Sequence, residues 1–293
     1  MKSRRLIATL VSAASLALPA FSQISISDFS TVTPGSLQLN GNAAIVGPAL
    51  RVTPATFSQA GSAFSTSSVT LAANVSFSSF FTFQITGSGG ISDGDGTGAD
   101  GLVFVVQTNA NNVGGIGGGI GYLGVPNSLG VEFDTCDNGA GFGDPNGNHV
   151  NFDFGGTFSS TATAGLIPTR MNNGSIWSAW VDYDGTTNTL ELRLVESSVI
   201  RPGAALLSAN VDLAAVLGSV NAFVGFTSGT GSAYGNHDIL SWEFRDTFNP
   251  IVTPPGAGAV AARAFLPLIR QSSPPSSALS EKTIRTRSDR AAS

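Results

Sequence analysis

A single cysteine, two histidines and no lysine between residues 2 and 282 mark this 293-residue chain by what it lacks. With Cys136 alone, no intramolecular disulfide can form, so any folded domain must rest on core packing. Charge is scarce as well, at 11% of residues. Between residues 23 and 250 only five arginines stand against 17 carboxylates, a formal net charge of −12. A segment of that sign repels phosphate backbones, which argues against nucleic acid as a partner. Carboxylates in such excess need another cation, and divalent metal ions are one candidate. What the chain does have is 36 glycines and 42% hydrophobic residues. Glycine, serine and threonine without many long polar side chains suit short strands and turns better than helices.

The two ends differ from the middle. Lys2, Arg4 and Arg5 precede an apolar run over residues 6–18, and Ala20-Phe21-Ser22 offers small residues for cleavage. Residues 1–22 therefore read as a signal peptide removed near Ser22, giving a secreted or extracytoplasmic protein, in a periplasm or on a cell surface. The run is too short for a comfortable membrane span. Residues 249–293 turn Pro-, Ser- and Arg-rich without strand periodicity and read as a disordered tail. Between them, residues 23–248 read as one domain.

That domain is a succession of short alternating segments. They include Val69 to Leu71 continuing into Ala73 to Ser76, Phe80 to Ile85, Leu102 to Gln107, Leu129 to Thr135, Val150 to Phe154, Ser178 to Tyr183, Thr189 to Val195, Ala222 to Thr227 and Ile239 to Phe244. Leu102 to Gln107 is nearly all apolar, as a strand covered on both faces should be. Asp184-Gly185 is a hairpin-type turn signal. One short helix is expected at Asp212 to Leu217, capped by Asp212 or Asn210. Ten or more strands with one helical turn predict an all-β sandwich.

Chemistry concentrates in residues 129–150. Strand alternation sends Leu129, Val131 and Phe133 to one face and Glu132 and Asp134 to the other. Two such carboxylates on one face repel unless a cation or a shared proton lies between them. The following loop adds Asn138 and Asp144, and the next strand opens on His149, out of phase with Val150, Phe152 and Phe154. Carboxylates with one imidazole suit manganese or a similar ion, while carboxylates, an amide and a carbonyl suit calcium. An exposed polar strand edge with a solvated Gly-rich turn is the alternative reading of the same pattern.

These residues resemble the metal-binding signature of the legume-type (L-type) lectins: Val131-Glu132-Phe133-Asp134-Thr135, then Asn138, Asp144-Pro145 and His149. Other pieces follow that family's order: Ala99-Asp100-Gly101-Leu102, the glycine loop from Gly119 to Ser128, Trp180 to Tyr183 with Asp184-Gly185, Phe223 to Thr227, and Ile239 to Phe244. With the leader, the resemblance is to a secreted, bacterial member. It implies a concanavalin-like β-sandwich (jelly roll) of antiparallel sheets and a non-catalytic protein that binds glycans. It further implies manganese held by Glu132, Asp134, Asp144 and His149. Calcium would be held by Asp134, the carbonyl of Cys136, Asn138 and Asp144. Asp100, Asn138 and a backbone N–H near Gly121 would contact sugar, and the Ala99–Asp100 peptide would be cis. Members of this family often pair through sheet edges, so a homodimer is the expected assembly if one forms.

Cys136 departs from the family, because an aromatic ring usually stacks on the sugar there. Phe142 or Tyr234 are the nearest candidates to replace it. The departure keeps a second reading open, a structural or adhesive module that has lost sugar binding. A third is a β-glucanase-like glycoside hydrolase, since Glu132-Phe133-Asp134-Thr135-Cys136-Asp137 superficially matches a two-carboxylate strand. Asp93 and Asp95 read as a solvated Gly-rich turn, and Asn236 and His237 as part of the loop before the last strand.

Overall fold

The computed structural model describes residues 23–252, apart from residues 116, 159–161 and 165–166. Residues 1–22, where a signal peptide is expected, and residues 253–293 of the expected tail lie outside the described residues.

Two antiparallel sheets face each other. The back sheet runs, edge to edge, through Leu207–Asn210, Thr189–Glu196, Ile176–Asp184, Phe77–Gly90, Ala233–Arg245, Ala49–Thr53 and Ala44–Val46, with Gln23–Ile26 also paired to Ala233–Arg245. The front sheet runs through Ala162–Ala164, His149–Phe154, Ser128–Asp134, Gly101–Gln107, Asn221–Gly229, Ala60–Ser65 and Leu37–Gly41, with Val69–Thr70 added beside Asn221–Gly229. This is the expected jelly-roll sandwich. The one α-helix among the described residues, Leu213–Leu217, is capped by Asp212, whose carboxylate accepts the Ala215 N–H at 3.0 Å.

Alternation builds the core. Leu102, Phe104 and Val106, Leu129, Val131 and Phe133, and Val150 and Phe152 all point between the sheets, where Phe77, Phe81, Phe83 and Trp242 meet them. The opposite face of Gly101–Gln107 is covered too: Val103 and Val105 pack with Phe64 of the strand Ala60–Ser65 and with Ile120 and Tyr122 of the glycine loop. That second layer is why the strand carries an unbroken apolar run.

Three local expectations need correction. Ala73 to Ser76 is a turn, closed by Val75 N–H donating to Ala72 O at 2.7 Å, with Val75 at φ +53°. Asn236 and His237 lie inside the strand Ala233–Arg245, where a bulge between Tyr234 and Asn236 hides the alternation. The sandwich also extends past residue 248. Ile251 is fully buried against Phe80 and Trp180, and Trp180 Nε1 donates to its carbonyl at 2.9 Å.

His237 is buried in the sandwich, with its Nδ1 held in a hydrogen-bond chain and its Nε2 left without a partner. Ser228 Oγ donates to Gly101 O at 2.7 Å, so it accepts from Thr53, 2.8 Å away. Thr53 in turn accepts from His237 Nδ1 at 2.8 Å, which fixes the ring as a neutral Nδ1–H tautomer. Burial pushes its pKa down to about 3. The unfolded chain binds this proton near the usual 6.5, so His237 stabilises the fold above that pH and the contribution is lost as pH falls from about 6.5 towards 3. We expect a loss of up to about 1.4 kcal/mol per pH unit in that window relative to His237→Asn. Denaturant unfolding of both proteins at pH 7 and pH 4.5 checks it; parallel pH profiles would contradict it.

Candidate metal and carbohydrate site

Register gathers the cluster. Asp134 pairs with His149 on one side and Gly101 on the other, and Glu132 pairs with Asn151. Glu132, Asp134 and His149 each offer a ligand atom, and these atoms lie within 4.8 Å of one another, all buried. His149 Nε2 stands 3.7 Å from Glu132 Oε2 and 3.8 Å from Asp144 Oδ1, too far for hydrogen bonds and suited to an ion between them.

The hydrogen bonds orient these groups inward. His149 Nδ1 donates to Asn146 O at 2.7 Å, leaving Nε2 for the cluster. Asn151 Nδ2 donates to Glu132 Oε2 at 2.7 Å. Asp134 Oδ1 accepts the Cys136 N–H, and Asp144 Oδ2 accepts the Asn138 N–H, both at 2.7 Å. That leaves His149 Nε2, Asp144 Oδ1 and Asp100 Oδ2 buried with no hydrogen-bond partner. Orphaned polar atoms such as His149 Nε2 and Asp144 Oδ1, 3.8 Å apart, are costly unless something else binds between them.

Electrostatics agree. Burial, then the charges of Glu132 and Asp144, raises the Asp134 carboxyl well above its ordinary value. Burial lifts Asp144 to about 6 and Asp100 to about 7. His149 is raised despite its burial, because Glu132 and Asp144 face it. The donor set is three carboxylates and one imidazole, hard and mostly oxygen, which fits manganese and calcium rather than a thiolate-seeking ion. Burial and the neighbouring carboxylates push the Cys136 thiol up to about 12, so sulfur stays protonated.

At the cluster's rim the Ala99–Asp100 peptide is cis. Asp100 is buried, and the Asn138 side chain donates to its carboxylate. Asn138 itself is exposed. Gly121 packs against Thr227, while Gly118 is the loop glycine that meets Asn138: a Cβ there would sit 2.7 Å from the Asn138 amide carbon. Cys136 is turned inward against Ala99 and Ala233. Phe142 packs on Phe158, with ring centroids 6.0 Å apart, and Tyr234 packs edge-on against Phe57 at 4.8 Å. Asp137 bonds the Gly139 N–H and stays exposed, away from Glu132 and Asp134.

Sequence reasoning missed Asn151, Asn146 and Gly118, and it read Asp93 as solvated. Burial pushes the Asp93 carboxyl up, but N–H donors from Asp137, Asp95 and Gly96, with Arg170, outweigh it and hold it below the aspartate range. Polar residues in phase with Glu132 and His149 were the available signal for Asn151; nothing in the sequence pointed to the others.

Known proteins match this architecture. The sequence fits the model of the legume lectin domain family over residues 22–254. An L-type lectin-domain containing receptor kinase, VIII.1, of Arabidopsis thaliana is 33% identical over 262 residues, covering 82% of this chain and 34% of the kinase. The rice receptor kinase SIT1 of the same kind is 30% identical over 235 residues, covering 73% of this chain and 33% of its own length. This chain thus spans about a third of those relatives. Among solved structures, the acidic lectin of winged bean, complexed with methyl-α-D-galactose, superposes with a TM-score of 0.64 at 26% identity, covering 77% of this chain and 98% of that one. The basic winged bean lectin with Tn-antigen gives 0.63 at 28%, with the same coverage. The chain belongs to the legume lectin domain family.

Proposed function

We propose that this protein is a secreted, non-catalytic lectin that binds glycans in dependence on calcium and manganese. The observation that carries the reading is the pair of orphaned buried atoms His149 Nε2 and Asp144 Oδ1, 3.8 Å apart, with the orphaned Asp100 Oδ2 on a carboxylate whose charge interacts with Asp144. Glu132, Asp134, Asp144 and His149 would hold manganese; Asp134, the Cys136 carbonyl, Asn138 and Asp144 would hold calcium. Bound ions would supply the positive charge that the converging carboxylates need. Asp100, kept buried and short of one partner, would accept sugar hydroxyls, with Asn138 and a glycine-loop N–H from Gly118 or Gly121 completing the contacts.

The leader-like residues 1–22, with basic Lys2, Arg4 and Arg5, an apolar run and small residues before Gln23, support secretion. No helix among the described residues is long and apolar enough to cross a membrane. Self-association, where it occurs, would use a sheet edge such as Ala44–Val46, whose three residues are exposed. The second reading, an adhesive or structural module that binds no sugar, draws on Cys136 being buried where a stacking ring would stand. Calorimetric titration of chelator-stripped protein tests the ion half of the proposal. Two ions per chain are expected; no uptake of either would overturn it.

A further inference from the structure

Residues 91–98 supply none of the proposed ion ligands below Asp100, yet they bond both ends of the loop that carries the ligands. Asp93 Oδ2 accepts the Asp137 N–H, and Asp95 Oδ2 accepts the Gly147 N–H, each at 2.7 Å. Asp137 sits between Cys136 and Asn138, and Gly147 lies two residues before His149. One turn therefore grips the loop beside the calcium-side groups and again beside the imidazole.

The turn is itself fixed. Asp93 Oδ1 accepts N–H bonds from Asp95 at 2.9 Å and Gly96 at 2.8 Å, and Arg170 Nη1 lies 3.4 Å away. Ser92 and Thr97 join across it through their hydroxyls at 2.8 Å. Arg170 Nη2 also donates to Thr135 O at 2.9 Å, tying the same arginine to the end of the Glu132–Asp134 strand. Gly147 gives an independent sign of close fitting. A Cβ there would collide with Asp93 Oδ2 and lie 2.9 Å from the Asp137 nitrogen.

We propose that Asp93, Asp95 and Arg170 form a clamp that holds residues 137–147 in their ion-binding shape before any ion arrives. They would be positioning residues, setting ion affinity without being ligands. The proposal rests on the ion-binding reading above. A loop that must be ordered by the ion charges that ordering against affinity; a loop already clamped does not.

The test uses the full chain, stripped by chelation and titrated calorimetrically with calcium and with manganese. Asp93→Ala and Gly147→Ala should each weaken calcium about 10- to 100-fold, the range seen when outer partners of metal ligands are lost. Asp95→Ala, which breaks only the Gly147 end, should fall between these and wild type. The melting temperature of the metal-free variants should stay within about 3 °C of wild type, because the loop opens locally. Hydrogen exchange adds a readout that needs no ion: the Asp137 and Gly147 amides should be protected in metal-free wild type and exchange freely in Asp93→Ala. Variants that bind calcium as wild type does, or Asp137 and Gly147 amides unprotected in metal-free wild type, would overturn the clamp. If wild type takes up no ion, the ion reading fails instead, and the exchange measurement alone decides the clamp.

Discussion

Asp134→Asn should reverse the stability order of the two proteins according to whether ions are present. In the chelated protein Asp134 is a buried carboxyl facing Glu132 and Asp144, with its pKa pushed up by burial and by both charges. Asparagine keeps an oxygen to accept the Cys136 N–H, which Asp134 Oδ1 now accepts at 2.7 Å, and removes the charge. Relief of like-charge crowding on the order of 1–2 kcal/mol should raise the metal-free melting temperature by about 3–6 °C at pH 7.5. With ions the order inverts. An ion at 1,000 times its dissociation constant stabilises a protein by about 4 kcal/mol, and only wild type retains the full ligand set. Thermal melts of both proteins with chelator, and again with calcium and manganese, give the four temperatures needed. A variant less stable without ions, or one that keeps the ion-induced rise, would remove Asp134 from the ligand set.

Asp100→Ala should separate sugar binding from ion binding. Asp100 is buried, its Oδ2 has no hydrogen-bond partner, and Asn138 approaches it. A sugar placed there would give the carboxylate hydroxyl donors, and charge-assisted hydrogen bonds are worth about 1.5–3 kcal/mol each. Losing them should weaken glycan binding by about 100-fold or more, while ion stoichiometry and fold persist. Calorimetry with the best glycan, beside ion titration of the same sample, reads both halves. Unchanged glycan affinity would move the sugar site away from Asp100. Loss of ions along with sugar would make Asp100 part of the ion shell.

Much of this site was legible because strand alternation is a local signal. Glu132 and Asp134 declare their shared face by being out of phase with Val131 and Phe133, and His149 does the same before Val150. The strand Gly101–Gln107 announced burial on both faces by its composition alone. What could not be read depends on contacts distant in sequence. Asp93 meets Asp137 across 44 residues and Arg170 across 77, so in one dimension it is only an acid in a Gly-rich turn. Ile251 sits beside prolines that suggest a tail, and only the buried Trp180 and Phe80 surface explains its order. Asn236 and His237 read as a loop before the last strand; the bulge between Tyr234 and Asn236 breaks the alternation there while the strand continues. The Cys136 side chain had no local signal for direction, and it is Ala99 and Ala233 that hold it inward.

The central claim is that glycan recognition depends on ions held by Glu132, Asp134, Asn138, Asp144 and His149. A glycan array probed with the full chain in calcium and manganese, then after chelation, then after ions are restored, tests it most directly. The account predicts binding to a defined set of glycans, its loss on chelation and its return with the ions. Binding that survives chelation, or no binding under any of the three conditions, would contradict it.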